Sequence, residues 1–204
     1  VDGVLLDPTR GGLGTWQDAV GEQFGVDVTL LNGAFFERAW PDIMVGLAPI
    51  GPALSTALVD LGWPCTVDEF LGAWFDADFV VNRALAEAST RWVADGARLI
   101  LVTNQEHRRA AFLKDHLAEF LPPFESFYSA AVGTGKSDPE FFRRVDAALG
   151  TSGSAQSVVL VDDTRANIDV ASTHGWRTVH FTQQPDWERE IGALLGAAVS
   201  GNVG

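Results

Sequence analysis

Cysteine is nearly missing from this chain of 204 residues, and lysine is almost as scarce. The lone Cys65 excludes an internal disulfide and fits a reducing compartment, so a cytoplasmic location is expected. Basic residues are outnumbered, with 14 Lys and Arg against 27 Asp and Glu. The net charge of −13 argues against nucleic-acid partners and anionic membrane surfaces, both of which need basic patches. No apolar run approaches the roughly 20 residues that span a bilayer, and there is no internal repeat or low-complexity tract. No secretory leader is visible, although the chain opens on Val1 and not Met, which leaves the upstream question open. What is present, 47% apolar and 20% charged residues, describes a globular protein. Its length suits one α/β domain with a sizeable insertion or two small domains, as a monomer or homodimer.

The chain is organised around Val158-Val159-Leu160-Val161-Asp162-Asp163-Thr164-Arg165-Ala166-Asn167. Four apolar residues, three of them β-branched, read as a strand buried on both faces. It ends in two adjacent carboxylates, which a buried strand cannot hide, so they must stand at its carboxyl end. In an open α/β sheet that is where ligands bind. Two adjacent anions repel unless a cation or proton offsets them, and oxygen ligands at this density suit Mg²⁺ better than zinc. Read alone, the two Asp could instead cap the following helix.

Val1-Asp2-Gly3-Val4-Leu5-Leu6-Asp7 reads as the end of a buried strand running into a loop loosened by Gly11, Gly12 and Gly14. Residues 15–88 are helical in pattern and rich in aromatics. Trp16 to Phe24 is one amphipathic helix, and Asn32 can cap a second that carries Phe35, Phe36 and Trp40. Pro41, Pro49 and Pro52 punctuate the stretch beyond Trp40. Thr66-Val67-Asp68-Glu69 is a capping box that starts a helix at Val67. The five Trp from Trp16 to Trp92 are expected to pack a small helical bundle.

From residue 82 helix and strand alternate. Asn82 can cap a helix that ends at Asp95-Gly96, and Arg98–Val102 is a buried strand ending in Thr103-Asn104. Glu106–Phe120 is a helix, Phe124–Ala131 a short strand, and Gly133–Lys136 a loop. Asp138-Pro139 opens a helix with Pro at its first position. After the central strand come a helix over Ala166–His174, a strand over Thr178–Phe181 and a last helix from Asp186 to about Leu195. The tail beyond is expected to fray. This alternation implies a Rossmann-like, mainly parallel sheet with helices on both faces. The helical stretch is then an insertion after the first strand. The expected division is a core of residues 1–9 and 89–204 with an inserted helical domain of residues 10–88.

Four stretches thus fall at strand ends or in the loops just after them: Asp2, Thr103, Lys136, and Asp162-Asp163 with Asn167. Each is weak alone. Thr103 could be a helix cap and Lys136 an ordinary loop lysine, though it is one of only two lysines. Their order and placement together are far more specific.

Together they resemble the haloacid dehalogenase-like (HAD) hydrolase superfamily, in its magnesium-dependent phosphatase branch. The matching residues are Asp2-Gly3-Val4-Leu5 with Asp7, Thr103-Asn104, Lys136 with Asp138-Pro139-Glu140-Phe142, and Asp162-Asp163 with Asn167. The similarity covers the whole α/β part, and residues 10–88 look like the family's helical cap of the first type. The pattern near Trp74–Asn104 is most similar to sugar-phosphate phosphatases. The resemblance implies an aspartyl-phosphate mechanism with Asp2 as general acid/base and Mg²⁺ as cofactor. Asp163, Asp162 and the backbone carbonyl of Asp2 are the implied metal site, supported by Asn167. Thr103, Asn104 and Lys136 would hold the phosphoryl group. The nucleophilic Asp would stand immediately before Val1, on a hydrophobic strand that would also precede it. Ser137 stands where many members have Pro.

Alternatives differ in class. One is a catalytically inactive binding protein on the same fold. Ala130-Ala131-Val132-Gly133-Thr134-Gly135-Lys136-Ser137 is a near miss to the phosphate-binding loop of an ATPase, but Ala130 replaces its first glycine. Asp138 and Glu140 would also sit in the helix turn that should attract phosphate. Dehalogenase activity, a third reading, is opposed by Asp2. His107, His116, His174 and His180 form no metal-ligand spacing, and Cys65 reads as a small packed residue.

Overall fold

The computed structural model describes residues 1–7, 15–151 and 155–200, with side chains described to residue 196. The expected glycine-rich turn at Gly11, Gly12 and Gly14 lies outside these residues. The first helical unit contains α1 (Trp16–Phe24), α2 (Glu37–Met44), α3 (Ile50–Asp60) and α4 (Val67–Ala77). Capping boxes at Thr15–Asp18 and Thr66–Glu69 start α1 and α4 where the hydrogen-bonding residue types place them. Asn32 is not a cap. Asp27 already caps a 3₁₀ turn at Val28–Leu30 and Leu31 is helical, so Asn32 opens a π-wound turn, Asn32–Phe36, inside a continuing helix. Pro41 likewise sits within α2 and does not end it.

The remainder alternates: α5 (Arg83–Ala94), β1 (Leu99–Thr103), α6 (His107–Leu117), β2 (Phe124–Tyr128), α7 (Ser129–Val132), α8 (Pro139–Leu149), β3 (Val159–Asp162), α9 (Arg165–His174), β4 (Arg177–His180) and α10 (Trp187–Ser200). The last helix runs past the point where fraying was expected, to Ser200. β1 pairs with β2 and β3 with β4, both in parallel, with Thr103 opposite Tyr128 and Asp162 opposite His180. All four strands are parallel to their partners, so Thr103 and Asp162 both stand at carboxyl ends.

Among the described residues the strands form two pairs and not one continuous sheet. One hydrophobic cluster nevertheless joins them. Val1, Val4, Leu5 and Leu6 pack with Leu101, Val179 and Phe181, and with Leu99, Val159 and Val161 beside them. Val1, Val4, Leu5 and Leu6 are buried as expected, but the segment is wound into a tight turn that leaves Asp2 exposed: the Val1 carbonyl accepts from the N–H groups of Val4, Leu5 and Leu6. The chain then runs antiparallel to the segment leaving the helical unit, with Asp7 N–H donating to Val80 O at 2.9 Å and Asn82 N–H to Leu5 O at 2.8 Å.

A second cluster fills the helical unit around Phe35, Ile43, Leu54, Phe70 and Trp74. The expected boundary at residue 88 falls inside α5, whose Leu85 and Ala86 belong to the cluster of the strand-bearing part. The two units meet at two seams. At one, the Gly46 α-carbon lies so close to Ala130 O that an added Cβ would stand 2.2 Å from it, at a φ of +76 that already favours glycine. At the other, Phe75 and Phe79 pack on Phe112, with ring centroids 5.4 and 5.6 Å apart. No helix among the described residues is long and apolar enough to cross a membrane.

Candidate active site

The two carboxylates at the end of β3 point opposite ways, because successive strand side chains alternate faces. Asp162 follows the parity of Leu160 and turns inward, with 2% of its surface exposed. The Lys136 ammonium donates to its Oδ2 at 2.6 Å, while Asn167 Nδ2 at 3.0 Å and the Thr164 N–H at 2.9 Å donate to Oδ1. Burial pushes the Asp162 carboxyl up, but Lys136 and these two donors outweigh it and hold the group below the ordinary carboxylate range. Lys136 is itself buried, and its loop is fixed by its own N–H donating to Asn104 Oδ1 at 2.9 Å. Asp162 was expected among the metal ligands. Both its oxygens are already engaged, so its work here is to hold the lysine.

Asp163 follows the parity of Val159 and Val161 and faces the opening turn of the chain. Its carboxylate lies against Gly3. A Cβ there would stand 2.1 Å from Asp163 Oδ2, at a φ of +73. Only glycine fits, so the Asp2-Gly3 pair of the first stretch and the Asp163 of the last are in direct apposition. Asp2, Gly3 and Asp163 line a cleft of about 440 Å³ together with Asp7, Asp78, Phe181, Thr182 and Gln183. Gln183, at a φ of 58, donates its side-chain amide to Asp7 Oδ2 at 2.7 Å. His180 Nε2 is 3.0 Å from the Asp163 carbonyl, which fixes the strand end.

Three residues near Asp2 escaped sequence reasoning. Gln105 donates its side-chain amide to Asp2 Oδ2, and Arg109 lies 3.7 Å from Asp2 Oδ1. Arg109 also reaches Asp78 Oδ2 at 3.4 Å. Burial and the nearby Asp2 push the Asp78 carboxyl up, against the pull of Arg109. Gln105 and Arg109 are held by the start of α6. Glu106 caps that helix through the N–H groups of Arg108 and Arg109, and Ser129 Oγ accepts from the Gln105 N–H at 2.9 Å. The only sequence signal was their place just after Thr103-Asn104, where a polar run reads equally well as a helix start.

Thr103 is buried at the end of β1, but it lines a small hollow with Val1, Leu101 and Ser126 and not the cleft. Trp16, Phe36 and Trp40 pack on Trp74 within the helical unit. The Trp16 and Trp74 rings stack at 4.5 Å. Among the described residues no three His, Cys, Asp or Glu side chains converge to hold a metal. The donors that do meet, the Asp163 carboxylate and the Asp2 segment beside Gly3, are all oxygens and fit a hard cation such as Mg²⁺ as part of a coordination shell. The ATPase-loop alternative does not suit the geometry. The first turn of α8 is already capped by the Asp138 carboxylate, which accepts from the Glu140 N–H at 2.9 Å.

No protein-family model matches the chain. It is 30% identical over 116 residues to enolase-phosphatase E1 of Streptomyces avermitilis, an alignment covering 55% of this chain and 48% of that protein. The chain thus spans about half the length of this curated relative. A HAD-family enzyme from Bacteroides thetaiotaomicron, solved with magnesium and inorganic phosphate, superposes with a TM-score of 0.70 at 14% identity, covering 92% of this chain and 94% of that one. A 2-haloacid dehalogenase from Pseudomonas syringae superposes with a TM-score of 0.62 at 18% identity, over 97% and 96% of the two chains. The chain therefore carries the fold of the haloacid dehalogenase-like superfamily, the family its strand-end residues resemble.

Proposed function

We propose that the protein is a Mg²⁺-dependent phosphomonoester hydrolase acting on a small phosphorylated metabolite such as a sugar phosphate. The observation that carries this is the meeting of Asp2-Gly3 with Asp163 at the carboxyl end of β3, beside a buried lysine held by Asp162, to which Asn167 also donates. The nucleophilic Asp is expected immediately before Val1, next to the Asp2-Gly3 turn that meets Asp163.

In the first half-reaction that carboxylate attacks phosphorus and the bond to the leaving oxygen breaks. Asp2 gives its proton to that oxygen. In the second, Asp2 takes a proton from water as the water attacks the acyl phosphate, freeing the nucleophile and phosphate. Lys136, fixed by Asp162 and Asn104, offsets negative charge on nucleophile and phosphoryl group. Mg²⁺, held by Asp163 and the Asp2 backbone, would neutralise further charge on the same oxygens. The helical unit would act as a cap over the cleft, excluding water and selecting the leaving group. A cleft of about 440 Å³ suits a small ester.

Phosphate release from a panel of small esters tests this, using the full-length protein with and without Mg²⁺. Turnover that needs Mg²⁺ and is lost in Asp2→Asn is expected. A folded protein that releases phosphate from no ester, or that releases halide from a 2-haloacid without metal, would overturn the reading.

A further inference from the structure

Arg109 is a buried cation with no place in the mechanism above, and its surroundings say what it does. Only 5% of its side chain is exposed. A buried guanidinium must have its charge and its N–H groups satisfied. Here the partners come from two units. From the helical unit, the Phe75 carbonyl accepts from Nη1 at 3.1 Å and Asp78 accepts from Nη2 at 3.4 Å. From the strand-bearing unit, Asp2 Oδ1 lies 3.7 Å from Nη2. The guanidinium is stacked over the rings of Phe75, 5.1 Å away, and Phe112, 5.8 Å away. Its backbone is locked by Glu106, so the side chain cannot follow either unit freely. The other oxygen of Asp2 is taken by Gln105.

We propose that Arg109 is a positioning residue for Asp2, and that it ties the aim of the Asp2 carboxyl to the seating of the helical unit. The proposal rests on the reading of Asp2 as the general acid/base. When Phe75 and Asp78 are seated, they fix the guanidinium fork, and the fork with Gln105 brackets the Asp2 carboxyl from both sides. If the helical unit lifts, Phe75 and Asp78 leave together, because both stand at the end of α4. Asp2 then loses its bracket. Proton delivery to the leaving oxygen is thereby confined to the closed arrangement. A lysine could supply the charge but not a planar fork that reaches a carbonyl and two carboxylates at once.

Proton donation matters most for a poor leaving group, which gives a test that a merely structural role would not satisfy. Phosphate release is compared for an alkyl phosphate and for p-nitrophenyl phosphate, whose leaving group needs little protonation. In Arg109→Gln, kcat for the alkyl ester is expected to fall about 100-fold with KM changed less than about 3-fold, while the aryl ester loses less than about 5-fold. Arg109→Lys should recover only part of the loss, and Asp78→Asn should reproduce it in weaker form. Arg108→Gln is the control. It removes an exposed ion pair to Asp68 across the same seam and should leave both esters unchanged. Equal losses on both esters in Arg109→Lys and Asp78→Asn would overturn the assignment of Arg109 alone. A wild-type protein that hydrolyses neither ester would overturn the phosphatase reading, and this inference with it. If Arg109→Gln does not fold, the Lys and Asp78→Asn variants decide.

Discussion

Asp162 and Asp163 are adjacent, identical in chemistry and opposite in environment. Asp162 shares the buried face of Leu160, where Phe141, Phe142 and Trp176 surround the strand. It is ionised there only because Lys136, Asn167 and the Thr164 N–H meet it. Asp163 is exposed, rests on Gly3 and opens into the cleft. The difference follows from the two-residue period of a strand. One carboxylate becomes part of the scaffold and fixes a cation, while the other stays available to ligands. Stability and chemistry are thereby separated by a single peptide bond.

The largest expected effect breaks the scaffold side. Lys136→Met would leave Asp162 buried without its counter-charge, and removing one partner of such a pair costs ~3–5 kcal/mol. Urea unfolding measures it, and a loss below ~1 kcal/mol would mean that the lysine is not what holds Asp162. Next comes the contact on the other side. Gly3→Ala places a Cβ 2.1 Å from Asp163 Oδ2 at a φ of +73. The backbone strain should cost ~1–3 kcal/mol. Mg²⁺ affinity, read by calorimetry, should fall as Asp163 is displaced. An unchanged melting temperature would show that the apposition is loose.

The pH dependence of stability sharpens the same contrast. The Asp162 carboxyl is held below its ordinary value, so its contribution is present at neutral pH. It is lost as pH falls below about 3.9, the unfolded aspartate value, toward the lower folded one. Acid unfolding of Asp162→Asn should lack that limb, whereas Asp163→Asn should keep it. The smallest effect belongs to Asp163 itself. As an exposed residue, its change to Asn should alter stability by no more than ~0.5 kcal/mol, although activity disappears.

Much of this was legible in the sequence because it is local. The Thr66–Glu69 box starts α4 at Val67, and Asp138-Pro139 starts α8 at Pro139, as hydrogen-bonding side chains and a fixed proline φ dictate. Strand parity places Asp162 and Asp163 on opposite faces, but it does not say which face carries the lysine, since Lys136 arrives from a loop 26 residues away. Val1–Leu6 reads as strand from its apolar run, yet the Val1 carbonyl closes it into a turn. Gln105 and Arg109 were readable only as part of a polar helix start. Their function lies in contacts to Asp2 and Asp78, 103 and 31 residues away respectively, which no periodicity encodes.

The most direct test sets Asp162→Asn beside Asp163→Asn in the full-length protein. For each, the melting temperature and the Mg²⁺-dependent phosphate release from a small ester are measured. A lowered melting temperature is predicted for Asp162→Asn, and an unchanged melting temperature with no turnover for Asp163→Asn. Full Mg²⁺-dependent turnover in Asp163→Asn would contradict the division of labour between the two carboxylates.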